Sequence, residues 1–212
     1  MKIRPVILCG GAGTRLWNNF KNHKAKQFID FGNWTLIGKT LERVKDPIFD
    51  IPIISTNKTY LKLTKKFLKK HNIKNFKIVL EPQKKNTAPA ILSSILIKDI
   101  PNNQPVIFFS ADQRIEKVNI LKKALKKNKK KLSDKNIFIF GIKPKNPSIH
   151  YGYLIPKIKS TQNQFTVKRF IEKPNVKKAK EIIKKNGYWN SGIFFIRKDS
   201  VINNFKKLQP KI

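Results

Sequence analysis

The chain has 212 residues, 40% of them hydrophobic, which is enough for one good core with at most an appendage. Its 47 Lys+Arg against 12 Asp+Glu give a formal net charge of +35 at pH 7. One cysteine excludes an internal disulfide and suits a cytoplasmic setting. No apolar run reaches the length of a membrane helix, and residues 5–8 are too short for the core of a signal peptide.

Such a charge suggests nucleic acid, whose binding gains from counterion release. The distribution argues against specific nucleic-acid recognition. The only arginines are Arg4, Arg15, Arg43, Arg114, Arg169 and Arg197. The lysines are spread among many Asn and Ile, the bias that A/T-only codons produce. Residues 62–70 and 122–131 read as solvated helix faces, with no interleaved aromatics on which bases would stack. Weak nonspecific polyanion binding is expected as a by-product.

In chain order, apolar β-rich runs fall at residues 3–8, 51–55, 76–80, 106–110, 137–141, 151–155, 165–171 and 192–197. Helical patterns lie between several of them. Residues 34–44 place Leu36, Ile37, Thr40, Leu41 and Val44 on one face; 59–70, 87–98, 116–132 and 175–186 follow suit. Asp199 reads as the N-cap of a last helix over 200–208, whose Phe205 and Leu208 face is left without a partner. The alternation predicts an α/β fold: a doubly wound, mixed but mostly parallel sheet with right-handed crossovers. The strand-rich stretch from 137 to 173 predicts a small antiparallel insertion. No repeat, linker or low-complexity segment is visible, so residues 1–212 read as a single domain.

Several strand ends carry chemistry. The first strand breaks into Cys9-Gly10-Gly11-Ala12-Gly13-Thr14-Arg15. Glycines let a backbone approach phosphate oxygens, consecutive free N–H groups form an anion nest, and Arg15 adds a phosphate-shaped fork. Neither a Walker A loop nor the dinucleotide fingerprint fits this spacing. Cys9 reads as a small buried residue, since no His lies near it in sequence. Glu81-Pro82 follows the third strand and leads to Asn86-Thr87, either of which would N-cap the next helix. A carboxylate at Glu81 can accept N–H hydrogen bonds. Asp112 follows the fourth strand, where it serves either as a helix cap or as a Mg²⁺ ligand.

These residues, with Lys26-Gln27-Phe28, resemble the sugar-nucleotide pyrophosphorylases (nucleotidyltransferases) of GT-A type, and among them most closely the mannose-1-phosphate guanylyltransferases. Tyr151-Gly152-Tyr153, Phe170-Ile171-Glu172-Lys173-Pro174 and Trp189-Asn190-Ser191-Gly192 extend the resemblance over residues 5–197 in family order. The resemblance implies GTP and mannose 1-phosphate as substrates, GDP-mannose and pyrophosphate as products, and Mg²⁺ as cofactor. It implies that Gly10, Gly11, Ala12, Gly13 and Thr14 hold the phosphates with Arg15, and that Lys26 neutralises the α-phosphate. By the same resemblance Glu81, Pro82, Asn86 and Thr87 lie against the base, Asp112 binds the metal, and Gly152, Glu172, Lys173 and Asn190 take the sugar phosphate.

The sequence departs from the family at Asn18, at Lys24-Ala25, at Gln113 where a His is usual, and at Ser148-Ile149-His150. The family's C-terminal portion, with a second metal-binding Asp, has no counterpart here. Three alternatives therefore stand beside the enzyme: a truncated, non-catalytic nucleotide-binding remnant or subunit, a pyrophosphorylase for another sugar 1-phosphate, and a polyanion-binding protein. Homo-oligomerisation is left open.

Overall fold

The computed structural model describes residues 1–11, 25–81, 87–157 and 164–210. Its strands are β1 (Arg4–Leu8), β2 (Ile53–Asn57), β3 (Lys77–Glu81), β4 (Pro105–Ser110), β5 (Ile137–Ile142), β6 (Tyr153–Pro156), β7 (Val167–Ile171) and β8 (Tyr188–Arg197). The helices are α1 (Leu36–Arg43), α2 (Lys58–Lys70), α3 (Thr87–Ile95), α4 (Val118–Lys129), α5 (Val176–Lys184) and α6 (Lys198–Leu208), with a 3-10 turn at Lys26–Phe28. The chain divides into two compact units, Met1–Phe138 with Phe194–Ile212, and Ile139–Ile193.

In the first unit, β3-β2-β1-β4 run parallel in that order. Leu8 lies opposite Ser55 on one side and Ser110 on the other, so β1 and β4 end level while β2 runs on to Asn57, opposite Glu81. The end of β8 adds to β4 antiparallel, with Ile196 against Val106. The pleat sends Val6, Ile53, Val106 and Phe108 to one face, where Ile95 of α3 and Val201 of α6 cover them. Each of those four sheet side chains is fully buried, contributing roughly 1.5–3 kcal/mol relative to exposure. On the opposite face the Arg43 guanidinium of α1 lies over Phe109, and Thr64 of α2 meets Thr56 and Cys9. Helices on both faces make this part of the sheet doubly wound.

Capping side chains set the helix starts. Thr35 accepts from the Gly38 N–H, Asn57 from the Tyr60 N–H and Asn175 from the Lys178 N–H. Helix α3 stops at Ile95 rather than at 98. Beyond it the Ile97 and Ile100 carbonyls accept from the buried Lys198 ammonium at 3.2 and 2.8 Å. Helix α6 begins at Lys198, so Asp199 sits in its first turn and is not its N-cap. The Asp199 carboxylate pairs with Arg197 and accepts from the Ser200 N–H. Phe205, expected to lack a partner, packs on the α3–α6 core, whereas Leu208 is exposed.

In the second unit β6 pairs antiparallel with β7 and with the start of β8. Tyr153 is fully buried against Ala179 and Ile182 of α5, with Trp189 packed alongside. Strand β8 starts four residues before the expected 192, because Tyr188 and Trp189 pair with Leu154 and Tyr153. The Trp-Asn-Ser-Gly string is therefore strand. Strand β5 also pairs with β8. Lys62, Lys65, Lys66, Lys69 and Lys70 are all exposed, as a solvated face requires. Among the described residues, no helix is long and apolar enough to cross a membrane.

Two measurements check this packing. Lys198→Met removes the ammonium from two carbonyls and should lower the unfolding free energy by about 1.5–3 kcal/mol, read from urea titration. At the α1–α2 contact, burial tends to raise the Glu42 carboxyl. Its partners His71 at 2.8 Å and Lys45 at 2.9 Å outweigh that effect and hold the pKa below the usual value. A depressed carboxyl stabilises the fold above its unfolded pKa, and the gain is lost as pH falls through the folded value. Glu42→Gln should therefore lower the melting temperature at pH 6, and the gap from wild type should close below about pH 4.

Candidate functional site

The parallel order β3-β2-β1-β4 brings the carboxyl ends of the four strands to one edge, where open α/β sheets take their ligands. The level strand ends bring the loop after β1 and the residues after β4 to one edge. That loop starts in a fixed way. The Cys9 N–H donates to the Ser55 carbonyl at 2.7 Å. Gln27 Nε2 donates to the carbonyls of Cys9 and Gly11, both at 3.0 Å, and Asn57 Nδ2 donates to that of Gly10 at 3.1 Å. Three successive carbonyls are thus engaged by amide side chains, which keeps acceptor oxygens from repelling an anion.

At the end of β3, Glu81 Oε1 accepts from the Ser55 hydroxyl at 2.6 Å. The carboxylate lies so close to Gly10 that a Cβ there would stand 2.7 Å from Oε1. A side chain at position 10 would push the carboxylate aside; glycine lets it lie this close. Just past β4, Asp112 Oδ1 accepts from the Ser110 hydroxyl, and Lys26 Nζ lies 3.6 Å from Oδ2. The 3-10 turn that carries Lys26 also carries Gln27, so one short turn supplies both the cation and the loop's anchor.

The structure thus pairs Gly10 with Glu81 and Lys26 with Asp112. Thr87 is the first residue of α3. Ala12, Gly13, Thr14, Arg15, Pro82 and Asn86 lie outside the described residues. Among the described residues, no three His, Cys, Asp or Glu side chains gather as a metal cage. A single half-open carboxylate just past a strand end still fits Mg²⁺, which takes one or two carboxylates and fills its shell with water and phosphate oxygens. Cys9 is buried, and burial above all pushes its thiol up to about 12, against opposing hydrogen bonds to Thr64 and Gln27. It is a core residue.

Sequence reasoning passed over Gln27, Asn57 and Ser55 as positioning groups. Asn57 offered a signal, since an Asn just before a helical pattern is a cap; its other amide face reaches Gly10. Gln27 and Ser55 offered none beyond their neighbours.

In the second unit Gly152, Glu172 and Asn190 come together. The Asn190 N–H donates to the Gly152 carbonyl at 2.7 Å. A Cβ on Gly152 would stand 2.7 Å from the Phe170 ring and 2.8 Å from Glu172 Oε2. Lys173 adopts a φ of 41°, with Nζ 3.2 Å from Glu172 Oε1. Asn190 Oδ1 accepts from the Gly192 N–H at 2.9 Å. Of the flanking tyrosines, Tyr151 packs on Trp189 at 4.9 Å, and the Tyr153 hydroxyl donates to the Ser148 carbonyl at 2.9 Å.

The family described as nucleotidyl transferase matches residues 4–212. The chain is similar to the alginate biosynthesis protein AlgA of Pseudomonas fluorescens, 33% identical over 98% of this chain and 44% of that protein. It is also similar to a mannose-1-phosphate guanylyltransferase of Escherichia coli, 32% identical over 98% of this chain and 47% of that protein. The chain therefore spans a little under half the length of these curated relatives. The fold matches a solved mannose-1-phosphate geranyltransferase from Thermus thermophilus with TM-score 0.84 and 23% identity, over 99% of this chain and 62% of that one. It matches a mannose-6-phosphate isomerase from Helicobacter pylori with TM-score 0.79 and 27% identity, over 99% and 76%.

The state of Cys9 is open to direct test. With the thiol at about 12, a disulfide reagent at pH 8 should label native protein about a thousandfold more slowly than urea-unfolded protein. Equal rates would remove the buried thiol.

Proposed function

Because the chain belongs to the nucleotidyl transferase family, we propose that it transfers the guanylyl group of GTP to mannose 1-phosphate, releasing pyrophosphate and forming GDP-mannose. Curated relatives at 30–32% identity carry the guanylyltransferase name, which supports the choice of both substrates. The observation that carries the reading is the Lys26–Asp112 pair on the same strand-end edge as the Gly10–Glu81 contact.

In this reading an oxygen of the sugar phosphate attacks the α-phosphorus of GTP. The new P–O bond forms as the bond to the bridging β-phosphate oxygen breaks, and pyrophosphate leaves with the electron pair. The nucleophile is already an anion, so no general base is needed. The protein positions the reactants and neutralises charge. Backbone N–H groups of Gly11, Ala12 and Gly13, with Thr14 and Arg15, hold the β- and γ-phosphates. Lys26 exchanges its Asp112 partner for the α-phosphate. Asp112 and the nucleotide's phosphates would hold Mg²⁺, which supplies further charge neutralisation when bound. Glu81 accepts from guanine N1 and N2; adenine has no donor at those positions. Pro82, Asn86 and Thr87 flank the base. Lys173 holds the incoming phosphate, while Glu172, Asn190 and the close approach at Gly152 take the sugar. A second reading is nucleotide binding without turnover.

The test is pyrophosphate release by the 212-residue chain with Mg²⁺, mannose 1-phosphate and each NTP in turn. Turnover with GTP alone is expected. Arg15→Ala and Lys26→Ala should each lose about 10²–10³ in rate; wild-type turnover in both would refute their roles. Folded protein that binds GTP and releases no pyrophosphate selects the second reading.

A further inference from the structure

Arg43 is the anomaly of the first unit. It sits on the last turn of α1, only 6% exposed, with its guanidinium 5.1 Å above the Phe109 ring. Among the described residues its one hydrogen bond runs from Nη2 to the Gln113 carbonyl at 3.2 Å. Among the described residues Nε and Nη1 are buried without partners, and no carboxylate pairs with the guanidinium. Burial pulls its pKa down to about 10. An uncompensated buried cation is costly, and an apolar side chain of similar volume is often neutral or stabilising in its place. Stability alone does not explain an arginine here.

What Arg43 holds supplies the explanation. The carbonyl of Gln113 belongs to the residue after Asp112. Three successive residues past β4 are each engaged from the single stretch 26–43. Asp112 meets Lys26, Gln113 meets Arg43, and the Arg114 guanidinium lies 5.4 Å over Trp34, which itself stacks on Phe31 at 4.7 Å. The loop that carries the candidate metal ligand is thereby clipped to α1 and the segment leading into it.

We propose that Arg43 is a positioning residue: from within the core it fixes the Asp112-Gln113 segment, so that the Asp112 carboxylate stays where a divalent cation carried by the nucleotide meets it. This rests on the reading of Asp112 given above. A group that orients a metal ligand from behind typically changes metal affinity 10–100-fold when removed. A filler of the core changes stability instead.

The experiment uses the full chain, GTP and Mn²⁺ as the probe. Enhancement of the water-proton relaxation rate, large for Mn²⁺ immobilised on the protein and small for Mn²⁺ on GTP alone, reads binding, and thermal melts run in parallel. Arg43→Met should bind Mn²⁺ with GTP about tenfold more weakly and melt no lower than wild type, with Arg43→Lys intermediate in binding. Wild-type binding in Arg43→Met, with Asp112→Asn defective, overturns the proposal and leaves the Asp112 assignment standing. Wild-type binding in Asp112→Asn overturns that assignment itself. An Arg43→Met chain that melts well below wild type, or does not fold, makes Arg43 a structural core residue and overturns the proposal as well.

Discussion

The placement of β1 between β2 and β4, with β1 and β4 ending level, is the constraint on which the candidate nucleotide site depends. Leu8 pairs with Ser55 and Ser110 at once. From that register the loop after β1 emerges between two strand ends whose side chains already face it. Ser55 reaches across to Glu81, Asn57 to Gly10, and Ser110 to Asp112. A one-residue slip would turn these side chains to the opposite face. The apolar residues just upstream, Val6, Ile53 and Phe108 among them, hold the register by burying one face completely.

Charge acts on this frame in an unusual background. With 47 basic and 12 acidic side chains, the cations far outnumber the acids they could pair with. The few carboxylates are therefore informative by where they stand. Asp112 faces Lys26, and Glu172 faces Lys173. Asp50 anchors Arg4, and Glu42 meets His71 and Lys45 at structural contacts. The first two pairs join residues whose partners are exchangeable: each cation suits a phosphate, and each acid suits a metal ion or a sugar hydroxyl. The members of each pair neutralise one another, which lowers the cost of holding charge ready at a site.

Much of the fold was legible because its signals are local. Apolar runs located the eight strands of the described residues to within a few residues. The errors came where a distant residue decided the outcome. Helix α3 ends early near carbonyls that Lys198 engages from about a hundred positions away, and α6 begins early with that same lysine. Strand β8 extends back through Tyr188 because β6 offers it partners, which no local propensity encodes.

By itself, the sequence determined the order of the elements, the residue types at each strand end and the glycines that close approach requires. Those depend on side-chain chemistry and short-range periodicity. Tertiary structure decided which of those residues meet. Gly10 against Glu81, Lys26 against Asp112 and Arg43 beneath Gln113 are contacts across 71, 86 and 70 positions of chain. Such contacts exist only once the parallel register and the packing of α1 on the sheet have brought separate segments to one edge.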